Sequence, residues 1–119
     1  MVPTLAMEAP GASARQVQRA IAAAEAVFAR HETTAEEVAI ALAARHRDEM
    51  MGAFIPPELV VDGGPPPEPI ATARQMEIAD VWFEADEAAV GACYEGISER
   101  PKRAQLVLHY PISEASGPH

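Results

Sequence analysis

The sequence contains very little cysteine and has no long apolar run. Cys93 is the only cysteine among 119 residues, which excludes an intrachain disulfide and a cysteine-based metal cluster. No apolar stretch approaches the ~20 residues that a membrane-spanning helix needs. The first ten residues, MVPTLAMEAP, lack the basic and apolar regions of a signal peptide. We therefore expect a cytoplasmic protein that does not enter a membrane, or a component of a virion.

Positive charge is also scarce. Nine basic residues stand against eighteen acidic ones, which gives a net charge of −9. The excess is greater after residue 52, where four basic residues face eleven acids. Such a surface repels phosphate backbones and argues against nucleic-acid binding. It suits a soluble protein, or an acidic inhibitor of a basic partner.

Aromatic residues make up only 5% of the chain, and alanine supplies much of its 49% hydrophobic content. The core is therefore expected to be thin, with close helix contacts and few large side chains. A small chain with a thin core often recruits a partner subunit. Arginine outnumbers lysine eight to one, a composition associated with GC-rich bacterial or phage genomes.

Two helices are predicted in the first half of the chain. Ser13 is a suitable N-cap for a helix that runs to about Arg30, with an apolar face repeating every three or four residues. Thr34-Ala35-Glu36-Glu37 fits a capping box and begins a second helix that ends near Met51, before Gly52. The short break at 31–33 predicts an antiparallel hairpin or a helix-turn-helix. The apolar face of the first helix consists of Val17, Ile21, Ala24 and Phe28, and that of the second of Val38, Leu42 and Ala41.

A connector rich in proline and glycine follows over residues 52–70. Six of the eleven prolines lie between 56 and 69, which predicts stiff polyproline II structure. A short strand is expected near Val60. We interpret this segment as an internal connector of one small domain.

The stretch from Ile70 to Arg100 contains the only tryptophan and has apolar residues at helical spacing. Asp86 falls in the middle of that apolar face, where burying an unpaired carboxylate is costly. A single amphipathic helix is the favoured interpretation. The alternative is a βα unit, with a strand over 76–84 and a helix that Asp86 caps. The predicted apolar face consists of Met76, Ala79, Trp82, Phe83, Ala89, Val90, Cys93 and Ile97.

The last element is a strand over 106–112, where apolar and polar residues alternate. Pro111 cannot donate to a sheet ladder, so the strand ends there or lies at an edge. It has no obvious intrachain partner of equal length. Three partners are open: residues 58–61, the N-terminal arm between Pro3 and Pro10, or a second copy of the chain. The fold class is therefore α+β, mainly helical.

Candidate chemistry is sparse. The four histidines have no metal-ligand spacing, and we expect neither a metal nor a cofactor. Cys93 and His109 form the only candidate nucleophile–base pair, but a buried structural cysteine is the favoured interpretation. The pattern T-x-E-E-V-A at Thr34 resembles the first helix of DNA-binding helix-turn-helix units, although no basic recognition helix is evident.

These observations favour a non-enzymatic structural or accessory subunit that acts through protein contacts in a bacterial or phage assembly. Adjacent large aromatics suit an interface, and an unpaired strand edge suits pairing between chains. The predicted contact residues are Trp82, Phe83, Met76 and Tyr110. A helix-turn-helix regulator, an acidic inhibitor, and a small enzyme that uses Cys93 and His109 are the alternatives.

Overall fold

The computed structural model describes residues 2–51 and 70–110. The elements are β1 (Thr4–Glu8), α1 (Ala14–Arg30), α2 (Ala35–Met50), α3 (Ala73–Cys93) and β2 (Gln105–His109). This confirms the mainly helical α+β fold, with two consecutive helices, a third helix and a C-terminal strand. The predicted connector lies outside the described residues except for Ile70, as does the strand expected near Val60.

Helix α1 begins as its sequence predicts. The Ser13 hydroxyl accepts from the Gln16 N–H at 3.2 Å, and the Gln16 side chain accepts from the Ser13 N–H at 2.8 Å. This reciprocal pair satisfies backbone donors that the first turn leaves open. The helix buries one face, and the buried residues are Ala20, Ala24, Val27 and Phe28.

The joint between α1 and α2 is a tight turn with one residue in the left-handed region. Glu32 has φ +54°. The Thr33 N–H donates to the Phe28 carbonyl at 2.9 Å, and the Glu32 N–H donates to the Ala29 carbonyl at 3.0 Å. These bonds form the Schellman pattern that closes a helix end. Glycine usually occupies such a position, so Glu32 carries backbone strain.

Thr34 caps α2, as predicted, but only half of the expected capping box forms. The Thr34 hydroxyl accepts from the Glu37 N–H at 3.2 Å. The Glu37 carboxylate accepts from the Thr33 hydroxyl at 3.3 Å.

Both α1 and α2 pack on α3 and make little contact with each other, so α3 is the element that joins the helices.

Helix α3 runs without interruption through Asp86, so the βα alternative is wrong. Asp86 is half-buried, and its Oδ1 accepts from the backbone N–H of Leu106 at 2.7 Å. The carboxylate thus has a strong partner and ties the start of β2 to the middle of α3. The helix ends at Cys93, short of the predicted Arg100. Ile97 lies beyond it and is 46% exposed.

The buried face of α3 differs from the predicted one. Phe83 is 59% exposed, so placing it on the core face was wrong. Alanine is frequent among the buried residues of both α1 and α3, and small side chains allow two helices to approach closely. The buried residues of α3 are Ile78, Ala79, Val81, Ala85, Ala89 and Cys93.

Strand β2 pairs with the N-terminal arm, one of the three partners the sequence left open. Strands β1 and β2 are antiparallel, with Leu5 opposite Leu108 and Met7 opposite Leu106. Opposed residues point to the same side, so these four side chains form the apolar face of the two-stranded sheet. The expectation that β2 lacks an intrachain partner of equal length was wrong, because both strands have five residues.

A buried carboxylate anchors the start of α3 to the end of α2. Asp48 is 1% exposed. Its two oxygens accept from the backbone N–H groups of Ile70 and Ala71 at 2.6 and 2.8 Å. Sequence patterns had not singled out this residue. It brings together the two ends of the segment between α2 and α3.

Candidate interaction surface

The four predicted contact residues do not form one patch. Phe83 is 59% exposed and Tyr110 is 52% exposed. Trp82 and Met76 are half-buried, and Trp82 packs against the core cluster. Phe83 and Tyr110 border two separate grooves on either side of α2. Trp82 and Phe83 differ in burial because adjacent residues of a helix point about 100° apart.

Phe83 borders a groove of about 300 Å³ between α2 and α3. Its other lining residues come from α2 and are Leu42, Arg45, His46 and Glu49. One large ring therefore stands in solvent beside a half-buried leucine, with charged side chains around them. This apolar centre with a polar rim is typical of protein interfaces.

The rim of this groove is held in place by ion pairs. Arg45 contacts the Asp80 carboxylate at 2.8 Å and the Glu49 carboxylate at 3.4 Å. Arg45 thereby links α2 to α3 beside the Phe83 ring. Exposed pairs of this kind contribute little stability, but they order the charges around the Phe83 ring.

A second polar cluster holds the end of α1 against α3. Glu84 Oε2 accepts from Arg30 at 2.7 Å and from the His31 ring at 2.9 Å. Arg74 donates to the His31 carbonyl at 2.9 Å. The Arg30 and His31 hydrogen bonds lower the pKa of Glu84. The contribution of these contacts to folding is therefore present above the carboxyl group's unfolded pKa and disappears as pH falls through its folded pKa.

The structure separates the candidate nucleophile from the candidate base. Cys93 is fully buried, and burial raises the pKa of its thiol. His109 is exposed at the last position of β2 and pairs with Thr4. No hydrogen bond joins Cys93 to His109. The buried cysteine predicted from the sequence is confirmed, and an inert thiol fits this environment.

Of the other histidines, His31 and His46 belong to different surroundings. His31 contacts Glu84, His46 borders the Phe83 groove, and His119 lies outside the described residues. Over residues 2–51 and 70–110, no three histidine, cysteine or acidic side chains are placed to hold a metal ion.

Among the described elements, the resemblance to a DNA-binding unit rests on α2, whose start at Thr34 carries the T-x-E-E-V-A pattern. Residues 52–69, where a recognition helix would follow α2, lie outside the described part of the chain. Helix α3 comes next, and it carries five acids against one arginine. Its charge is opposite to that of a helix that enters a DNA groove.

Sequence reasoning missed the outward face of α2. Ile40 is 53% exposed and borders the same groove as Tyr110, together with Pro3. The signal was present in the sequence, because residues 38–44 are seven consecutive apolar residues. On a helix such a run covers every direction, so one side of it faces away from α3.

Comparisons with protein-family models, with curated proteins and with solved structures find no match to this chain. Among the described helices, none combines the length and apolar content that crossing a bilayer requires.

Proposed function

We propose that this protein is a non-enzymatic structural or accessory subunit that acts by binding protein, as part of a bacterial or phage assembly. The observation that carries the proposal is the exposure of Phe83. A ring that is 59% exposed, beside a groove and among ordered charges, has the character of an interface anchor. Aromatic anchors of this kind dominate binding energy when a partner buries them.

Two further observations support a binding role. The buried, high-pKa thiol of Cys93 is a poor nucleophile, which weakens the enzymatic alternative. Exposed large apolar side chains also occur on two sides of α2, at Phe83 and at Ile40. These two side chains border separate grooves, and each groove also contains a charged side chain, a combination that protein contact sites show.

Light scattering at micromolar concentration tests the proposal. We expect a mass above the 12.7 kDa of one chain, or a complex with a protein partner recovered by crosslinking in the source cell. Phe83→Ala should weaken the contact by about tenfold or more without changing the circular dichroism spectrum. Ile97→Ala removes a comparably exposed apolar side chain outside the helices and is the matched control.

Phe83 is a cleaner probe than Trp82. Trp82 packs against the core, so Trp82→Ala is expected to disturb both the fold and any contact. A monomer that forms no crosslinked complex would contradict the proposal. Equal effects of Phe83→Ala and Ile97→Ala would remove Phe83 from the contact.

A further inference from the structure

The outward side of α2 carries a short stripe with a simple chemical order. Glu36, Ile40, Ala43 and Arg47 follow one another at spacings of four, three and four, which places them on one face of the helix. All four are exposed. The opposite face contains Val38 and Ala41, which are fully buried. The stripe therefore lies directly away from the core.

Both ends of the stripe carry a charge without an ionic partner in the described residues. Neither Glu36 nor Arg47 takes part in any of the ion pairs that the structure contains. Between them lies Ile40, which is 53% exposed. Tyr110 and Pro3 flank the stripe and border with it a shallow groove of about 310 Å³. An acid, a large apolar residue, a small apolar residue and a base thus follow in sequence.

The stripe is complementary to the same stripe of a second copy that runs in the opposite direction. A second α2 laid antiparallel, with a twofold axis passing between residues 41 and 42, places Glu36 opposite Arg47 of the second copy. The same register places Ile40 opposite the second copy's Ala43. Each contact occurs twice, as an isologous interface requires. The small Ala43 side chain leaves space for Ile40 and allows the two helices to approach closely.

We infer that α2 is the contact surface of a homodimer, in which two copies pack antiparallel along this stripe. The inference rests on the proposed function and names a second copy of the chain as one protein partner. Two chains of net charge −9 repel each other at long range. Local complementarity must overcome that repulsion, and the stripe provides it with two ion pairs around an apolar centre.

Sedimentation velocity over a micromolar concentration series tests the centre of the interface. Ile40→Arg places a charge in the apolar centre, opposite Ala43 of the second copy, and should weaken the dimer by about a hundredfold or more, while the circular dichroism spectrum stays unchanged. Ile97→Arg makes the same substitution at a comparably exposed isoleucine outside α2 and should leave dimerisation unchanged. A dimer that tolerates Ile40→Arg would overturn the inference.

A charge exchange tests the register. Glu36→Arg and Arg47→Glu should each weaken the dimer by about tenfold, because each variant places like charges opposite each other twice. The double variant restores opposite charges and should return the dissociation constant to within about threefold of the original. Additive weakening in the double variant would contradict the antiparallel register.

The outcomes separate this inference from the proposed function. A chain that remains monomeric up to the highest concentration overturns the homodimer but leaves a protein partner at Phe83 to be found by crosslinking. An oligomer lost in Phe83→Ala but kept in Ile40→Arg overturns the α2 interface and supports the Phe83 contact. A dimer lost in Ile40→Arg and rescued by the double charge exchange supports the inference directly.

Discussion

Helices α1 and α2 have similar lengths, 17 and 16 residues, but they distribute their apolar residues differently. In α1 the two largest buried side chains, Val27 and Phe28, belong to the core cluster and are each 3% exposed. Helix α2 has apolar residues on all sides. Val38 faces the core and is fully buried, whereas Ile40 faces away and is 53% exposed.

The difference indicates which helix has its large apolar side chains covered within one chain. A helix with a single apolar face is satisfied once that face is covered, and α3 covers α1. A helix with apolar residues on every side leaves some of them exposed unless its second side is covered as well. The described chain supplies only Pro3 and Tyr110 at one margin of that side. In the homodimer proposed above, α1 contributes to folding, and α2 contributes both to folding and to the contact.

The largest expected effect is a loss of stability caused by a substitution in α1, the helix whose apolar face is covered within one chain. Phe28→Ala removes the largest buried side chain of α1 and leaves a cavity in the core cluster. We expect the free energy of unfolding to fall by about 3–5 kcal/mol, measured by urea denaturation. Ala26→Ser on the exposed face of the same helix is the control and should change it by less than about 0.5 kcal/mol. A small loss at Phe28 would mean that α1 is not the main support of the core.

Much of this architecture was accessible from sequence because the signals are local. Ser13 and Thr34 precede helical apolar patterns, and both cap the predicted helices. Asp86 was recognised as a conflict within the third helix. Its resolution depends on a backbone N–H at Leu106, twenty residues further along the chain, and no local pattern contains that information.

The candidate surface could be predicted less well from the sequence, again because it depends on contacts between residues that are distant in the chain. Phe83 was singled out as a contact residue, which stays a prediction, but it was also counted on the core face, and its exposure of 59% shows that this second placement was wrong. Helical spacing gives relative directions and not the absolute direction of the core. The packing of α1 and α2 on α3 sets that direction, and it depends on how elements that are distant in the sequence meet. Ile40 was overlooked because an unbroken apolar run has no preferred face.

An intermediate effect is expected at the end of α2. Asp48→Ala removes the acceptor for the backbone N–H groups of Ile70 and Ala71. Hydrogen bonds to a charged group contribute about 1.5–3 kcal/mol, so we expect the free energy of unfolding to fall by about 2 kcal/mol. Asp48→Asn keeps one side-chain carbonyl and should lose about half as much. Hydrogen exchange at Ile70 and Ala71 should accelerate in Asp48→Ala, and unchanged exchange would show that the carboxylate does not hold this joint.

The smallest expected effect on stability is that of Ile40→Ala, which is compared here with Val38→Ala in the same helix. Ile40 and Val38 are two residues apart and face opposite directions. Val38→Ala should lower the free energy of unfolding by about 2 kcal/mol, because it empties a fully buried site. Ile40→Ala should change it by less than about 0.5 kcal/mol when denaturation is measured at a concentration where the chain is monomeric.

At higher concentration the unmodified chain should gain stability through dimerisation, and Ile40→Ala should lose that gain. If Ile40→Ala instead destabilises the dilute chain as much as Val38→Ala, the outward side of α2 is covered by the chain itself, and no second copy is needed to complete it.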